Sequence, residues 1–158
     1  MSNNVNHPKH YNSHPNGIEC IDIIRHYVCD IANAIKYLWR AGLKNEMGME
    51  DAEKEIEDLK KSLWYIEDYR KQILQLPETY FKSPLLMDEL VAKATGHTFD
   101  EISKGYEPNV GTAINFLLGL GIICNGRVYV SDDWEMSLYT ITSRIQQRIA
   151  DIKNNIKN

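Results

Sequence analysis

Long hydrophobic runs are missing from this chain. No apolar stretch reaches the roughly 18 residues that a membrane-spanning helix needs, so no membrane partner is expected. Cysteine is scarce: Cys20, Cys29 and Cys124 are odd in number and lack CxxC spacing. That pattern argues against a disulfide framework or a zinc site and for free thiols in a reducing compartment. The opening MSNNVNHPKHYNSHPNG has no apolar core and so does not read as a secretory signal, which leaves a cytoplasmic protein as the expectation. Basic charge is in deficit, with 18 Lys and Arg against 22 Asp and Glu and a net charge of −4, which argues against a nucleic-acid partner. Neither GxxxxGKS nor GxxxxGKT occurs, which excludes an ordinary P-loop kinase. The 43% of hydrophobic residues in a 158-residue chain is still enough to bury a real core.

The most informative stretch that is present is DIANAIKYLWRAG, residues 30–42. At helical spacing Ile31, Ile35, Leu38 and Trp39 make an apolar side, while Asn33, Lys36 and Arg40 line up on another. Asp30 stands where an N-cap is expected and Gly42 where a left-handed residue ends a helix. An amide and two cations in a row, with Lys44 just beyond, suit a phosphate-bearing ligand: Arg offers a planar fork of donors and Lys a compact charge. A solvated helix face is the plainer reading of the same spacing. Tyr37 and Trp39 are the aromatics on hand to stack on such a ligand.

The flanking segments extend this picture. His7, His10 and His14 stand among prolines without further ligands at metal-site spacing, so no metal is assigned. They read as hydrogen-bond donors to a ligand, with Tyr11 beside them. Residues 17–29 are expected to form a short helix on Ile18, Ile21, Ile24 and Val28, with Glu19 and Asp22 placed to orient the cations that follow. A long helix is expected from about Glu50 to Leu76. Ala52, Ile56, Leu59, Leu63, Ile66 and Ile73 form its 4-3-4-3 seam, which suggests a homo-oligomer. Lys54, Glu57, Asp58, Lys61, Glu67 and Lys71 are assigned to its polar surface, with Asp58 and Lys61 one turn apart and able to face one ligand.

Beyond it, PETYFKS reads as a linker. Helices follow over about 84–95, 99–104 and 109–120. Asn125-Gly126 then joins two short strands, and a last helix runs to about Lys153 on a stripe of Trp134, Leu138, Ile141, Ile145, Ile149 and Ile152. The fold class is therefore all-α. A helical unit of residues 1–76 is followed by a module of residues 77–158 with one small hairpin, in winged-helix-like order. The helix over 109–120 has no Lys or Arg, so this half is given an assembly or lid role in place of DNA binding.

HPKHYNSHPNGIECIDII, NAIKYLWRAGLKN and EDLKKSLWYI together resemble a small domain widespread in bacteriophage genomes and largely of unknown function, one branch of which is a nucleotide kinase lacking a P-loop. The resemblance covers about residues 6–70. It implies ligand or phosphate binding by His7, His10, Tyr11, Asn33, Lys36, Arg40, Lys44 and Lys61. Glu19, Asp22 and Asp58 are further matching polar positions. It implies a nucleotide-binding protein of the infected bacterial cytoplasm. One reading is a nucleoside-monophosphate kinase acting on deoxynucleotides, using ATP and Mg, with His10 or Asp58 orienting the acceptor hydroxyl. The alternative is a non-catalytic protein that sequesters a nucleotide second messenger to counter host defence.

Overall fold

The computed structural model describes residues 8–14, 16–42, 50–75, 80–82 and 87–158, with eight helices and three strands among them. In order they are α1 (Lys9–Asn12), α2 (Cys20–Ile24), α3 (Cys29–Arg40), α4 (Asp51–Gln75), β1 (Tyr80–Lys82), α5 (Met87–Thr95), α6 (Phe99–Ser103), α7 (Pro108–Leu117), β2 (Leu120–Cys124), β3 (Arg127–Val130) and α8 (Trp134–Lys157). The chain is thus mostly helical with a small sheet, and no described helix is long and apolar enough to cross a membrane.

The apolar periodicities locate the core. Ile31, Ile35, Leu38 and Trp39 of α3 are all fully buried, and so are Leu138, Ile141 and Ile145 of α8. Helix α4 packs against both α3 and α8, and α3 also meets α7. One continuous apolar cluster therefore runs from Ile18 to Ile152, across the expected boundary near residue 76. Gly42, with φ +81°, follows α3 in the left-handed conformation expected there. Asp30, expected as N-cap, sits inside α3. Val28 occupies the cap position and offers no side-chain hydrogen bond.

The expected helix over 17–29 is shorter, because its last residues pair with β2. Tyr27 bridges to Ile122, the Val28 N–H donates to the Gly121 carbonyl at 2.9 Å, and the Ile123 N–H donates to the His26 carbonyl at 2.7 Å. Backbone groups committed to a strand edge cannot also close helical turns. The expected linker likewise contains β1, which pairs in parallel with β3, Tyr80 opposite Val128 and Lys82 opposite Val130, giving the order β1-β3-β2. The hairpin turn itself follows expectation: Asn125 and Gly126 both have positive φ, as a two-residue turn between twisted strands requires.

Gly121 is where β2 meets α3. It has φ +74°, and a Cβ there would lie 2.6 Å from Val28 Cγ2. Gly121→Ala combines backbone strain with overpacking and is expected to destabilise by about 1–3 kcal/mol, read as a fall in Tm. An unchanged Tm would mean that the junction of β2 and α3 is not rigid.

The seam expected to hold copies together is used within the chain. Leu59, Ile66 and Ile73 are buried in the core, and Ala52, Ile56 and Leu63 pack against it. Two charges assigned to the polar surface of α4 are also inside: Lys54 is 1% exposed and Asp58 is 0% exposed. Arg40 reaches Asp58 from α3, and Glu57 and Asp58 both lie against Lys54, so the charges are buried as partners.

Candidate functional site

The partly exposed side of α3 carries Asn33, Lys36 and Tyr37, with Arg40 buried at its end, and α1, α2 and α4 all pack against the helix. The Asn33 side-chain amide donates to the Cys29 carbonyl at 3.0 Å, one turn back along the helix. Its oxygen accepts from Lys36 Nζ at 2.9 Å. Three cations surround the Tyr37 ring: Lys36 Nζ lies 4.7 Å, Arg40 Cζ 4.8 Å and Lys61 Nζ 5.6 Å from its centroid. Tyr65 of α4 stacks beside Tyr37, with centroids 5.9 Å apart. The negative face of an aromatic ring attracts cations, which explains how like charges are gathered here.

Arg40 differs from the two lysines. It is buried, and its Nε and Nη2 both donate to Asp58 Oδ1, at 3.2 and 2.8 Å, while Nη1 donates to the Tyr11 hydroxyl at 3.3 Å. Burial opposes its charge, but the bonds to Asp58 and Tyr11 outweigh that and hold the guanidinium above its ordinary range. Lys61 Nζ contacts Glu57, which also accepts from Lys54 at 3.0 Å, and these two lysines hold the Glu57 carboxyl down at about 2. Asp58 lies fully buried beneath Arg40, out of reach of a substrate hydroxyl, so its placement does not support the acceptor-orienting role expected for it.

A cavity of about 150 Å³ adjoins this face, between α1, α2 and α3. Pro8, Tyr11, Ile21 and Ile24 line it, with Glu19 and Lys36 among its polar groups. Cys20 also lines it, and burial pushes that thiol up to about 12, so it stays protonated and unreactive at neutral pH. Asp22 pairs instead with Arg25 at 3.0 Å on the outer surface.

Of the residues expected to bind a ligand, Tyr11, Asn33, Lys36, Arg40 and Lys61 are brought together. His7, Lys44 and the side chain of His10 lie outside the described residues. His14, grouped by sequence with those histidines, is a buried clasp. Its Nε2 is 2.6 Å from the Ile102 carbonyl, its Nδ1 accepts from the Asn16 N–H at 3.0 Å, and its ring packs on Trp39. Burial lowers its pKa, so the neutral ring persists. Trp39, named as a stacking partner, is core, with its indole N–H donating to the Tyr11 carbonyl at 3.1 Å.

The whole face falls within one recognisable segment. Residues 5–67 match the model of DUF3310, a protein family of unknown function. No curated protein matches the chain, and no solved structure does. The segment matched by DUF3310 carries Tyr11, Lys36, Tyr37, Arg40, Asp58 and Lys61 and ends within α4. Among the described residues no group of three or more His, Cys, Asp or Glu is placed to hold a metal ion.

One feature escapes sequence reasoning. Asp30 of α3 meets Asp68 of α4, carboxyl to carboxyl, and Asp30 is only 8% exposed. Burial, with the hydrogen bond and charge of Asp68, pushes the Asp30 carboxyl up to about 6. The two positions lie ten residues back along α3 from Arg40 and ten forward along α4 from Asp58. Once the Arg40–Asp58 pair is known, two antiparallel helices place these carboxyls opposite each other.

Proposed function

We propose that this chain binds a nucleoside phosphate on the outer face of α3. The observation that carries the reading is the ring of Lys36, Arg40 and Lys61 around Tyr37, next to a largely apolar cavity. Lys36 belongs to both features. A phosphate against Lys36 and Lys61 would meet two ammonium donors already gathered before binding, which lowers the ordering cost. Arg40, clamped by Asp58 and Tyr11, would add field without moving. The cavity wall of Ile21, Ile24, Pro8 and Tyr11 suits the flat, largely apolar face of a base.

The burial of Asp58 counts against it as the group that orients an acceptor hydroxyl, which leaves His10 in that role if phosphoryl transfer occurs and sequestration as the reading without it. The resemblance to a bacteriophage domain directs the search toward deoxynucleoside monophosphates and nucleotide second messengers of an infected cell. If the chain is a kinase, ATP and Mg would complete the reaction.

The test is a thermal-shift and calorimetry panel of deoxynucleoside monophosphates, cyclic dinucleotides and ATP, followed by chromatography of the nucleotides after denaturing the protein. We expect at least one nucleotide to raise Tm and to be recovered unchanged. Lys36→Ala and Lys61→Ala should each weaken its binding by roughly ten-fold or more while helical circular dichroism stays intact. Formation of ADP and a diphosphate would move the reading to a kinase. No shift with any nucleotide at millimolar concentration would remove it altogether.

A further inference from the structure

Helix α4 has two opposed faces. Leu59, Ser62, Ile66, Tyr69 and Ile73 turn inward and are buried. On the other side Trp64, Glu67, Lys71 and Leu74 are exposed, with Trp64 and Leu74 each 63% accessible. Positions 64, 67, 71 and 74 are spaced 3-4-3, the spacing of residues at a two-helix seam. The chain's own core uses the other face; at the seam Trp64 meets the neighbouring Tyr65 ring edge-on, with centroids 5.0 Å apart, and otherwise stays largely exposed.

The order of residues along the seam is self-complementary. Its sequence is aromatic, acid, base, aliphatic. A copy laid antiparallel about a two-fold axis midway between Glu67 and Lys71 would place Trp64 on the partner's Leu74 and Glu67 on the partner's Lys71. The axis would generate each contact twice. A parallel pair would set Glu67 against Glu67 and Lys71 against Lys71 across the axis, which like-charge repulsion disfavours. Within the chain Glu67 makes an exposed contact with Arg70 at 3.3 Å, which leaves the carboxylate able to take a second cation.

We propose that the outer face of α4 is an antiparallel homodimer interface, with Trp64 and Leu74 as its apolar contacts and Glu67 and Lys71 setting its direction. The seam adjoins the proposed ligand site, since Trp64 meets the Tyr65 ring that stacks beside Tyr37, but it uses none of the ligand-binding cations, so the inference does not depend on nucleotide binding.

The test is sedimentation analysis of the full chain at near-millimolar concentration, where a mass twice the 18.3 kDa of one chain is expected. The emission of exposed Trp64 should shift to the blue as concentration rises. Glu67→Lys and Lys71→Glu, each alone, should weaken dimerisation by about a hundred-fold, since each sets two like-charged pairs across the axis. Mixing those two variants should restore dimers, because every crossed contact is then Lys against Glu. The double variant should dimerise by itself. Arg70→Gln removes the intrachain partner of Glu67 and should leave the dimer in place. A wild-type chain that stays monomeric throughout overturns the proposal. So does a dimer that Glu67→Lys leaves intact, since it must then use another face.

Discussion

Arg40→Ala is expected to destabilise the fold by about 3–5 kcal/mol, because it strips a fully buried carboxylate of both its hydrogen bonds and leaves it only the more distant Lys54. Asp58 Oδ1 takes two hydrogen bonds from Arg40, and Lys54 stands 3.8 Å away. Asp58 Oδ2 is buried with no hydrogen-bond partner among the described residues, so the guanidinium is the hydrogen-bonded counter-charge and Lys54 a more distant second one. The same change removes the 3.3 Å hydrogen bond from the guanidinium to the Tyr11 hydroxyl, one of the ties between α1 and α3. In a chain of this length the loss corresponds to a fall in Tm on the order of 10 °C. Replacing both partners by apolar residues of similar volume, Arg40→Met with Asp58→Leu, should recover most of it, since neither charge is then stranded. Thermal or denaturant unfolding of the two singles and the double measures the coupling as a cycle. A loss below about 1 kcal/mol for Arg40→Ala would show that Arg40 is not structural. If that variant is also well folded and fails to bind nucleotide, the guanidinium belongs to the ligand.

Arg40 is legible in sequence as to its element and misleading as to its role. Asn33, Lys36 and Arg40 share a side of α3 by spacing, and the structure keeps them there. Spacing within one helix cannot say which neighbour arrives, and α4 brings a carboxylate to Arg40 but only a half-exposed lysine toward Tyr37. Lys54 and Asp58 read as outward-facing in the sequence because charges usually are. Their burial becomes readable only when Arg40 is known to meet them. The strongly periodic apolar stripes of α3 and α8 are sound guides because each stripe is itself the cause of the packing. Asn125-Gly126 is equally sound, since its turn is a local backbone preference. β1 escapes the sequence because its pairing with β3 joins residues far apart in the chain and leaves no mark in a three-residue stretch. Tyr37 reads as a stacking partner, but the three cations around it come from two helices, and no single-helix pattern contains that.

Asp30→Asn should stabilise the chain at neutral pH, and the gain should vanish in acid. Asp30 and Asp68 meet between α3 and α4, and the Asp30 carboxyl is pushed from its ordinary 3.8 up to about 6 by burial and by Asp68. An acid held above its ordinary value binds its proton more tightly folded than unfolded. Its contribution is fully present below about pH 4, where both states are protonated, and is lost as pH rises through about 6, where the folded state must carry a second carboxylate beside Asp68. Other groups run the opposite way. Glu57, held down at about 2, adds stability that fades as pH falls from 4.5. His14, kept neutral by burial, adds stability that fades as pH falls below 6.5. The melting profile of the wild type therefore mixes at least these titrations among the described residues, and the difference between variant and wild type isolates that of Asp30, because the other groups are common to both. The side-chain amide of the Asp30→Asn variant would donate an N–H to the Asp68 carboxylate at every pH, replacing the shared proton. The two proteins should melt alike near pH 4 and diverge between about pH 4 and 6. Above about pH 6 they should stay apart by on the order of 2–3 kcal/mol, a Tm difference of roughly 5–10 °C. A constant difference across that range would show that the two carboxyls do not share a proton, and α3 and α4 would then be held here by packing and the Arg40–Asp58 pair alone.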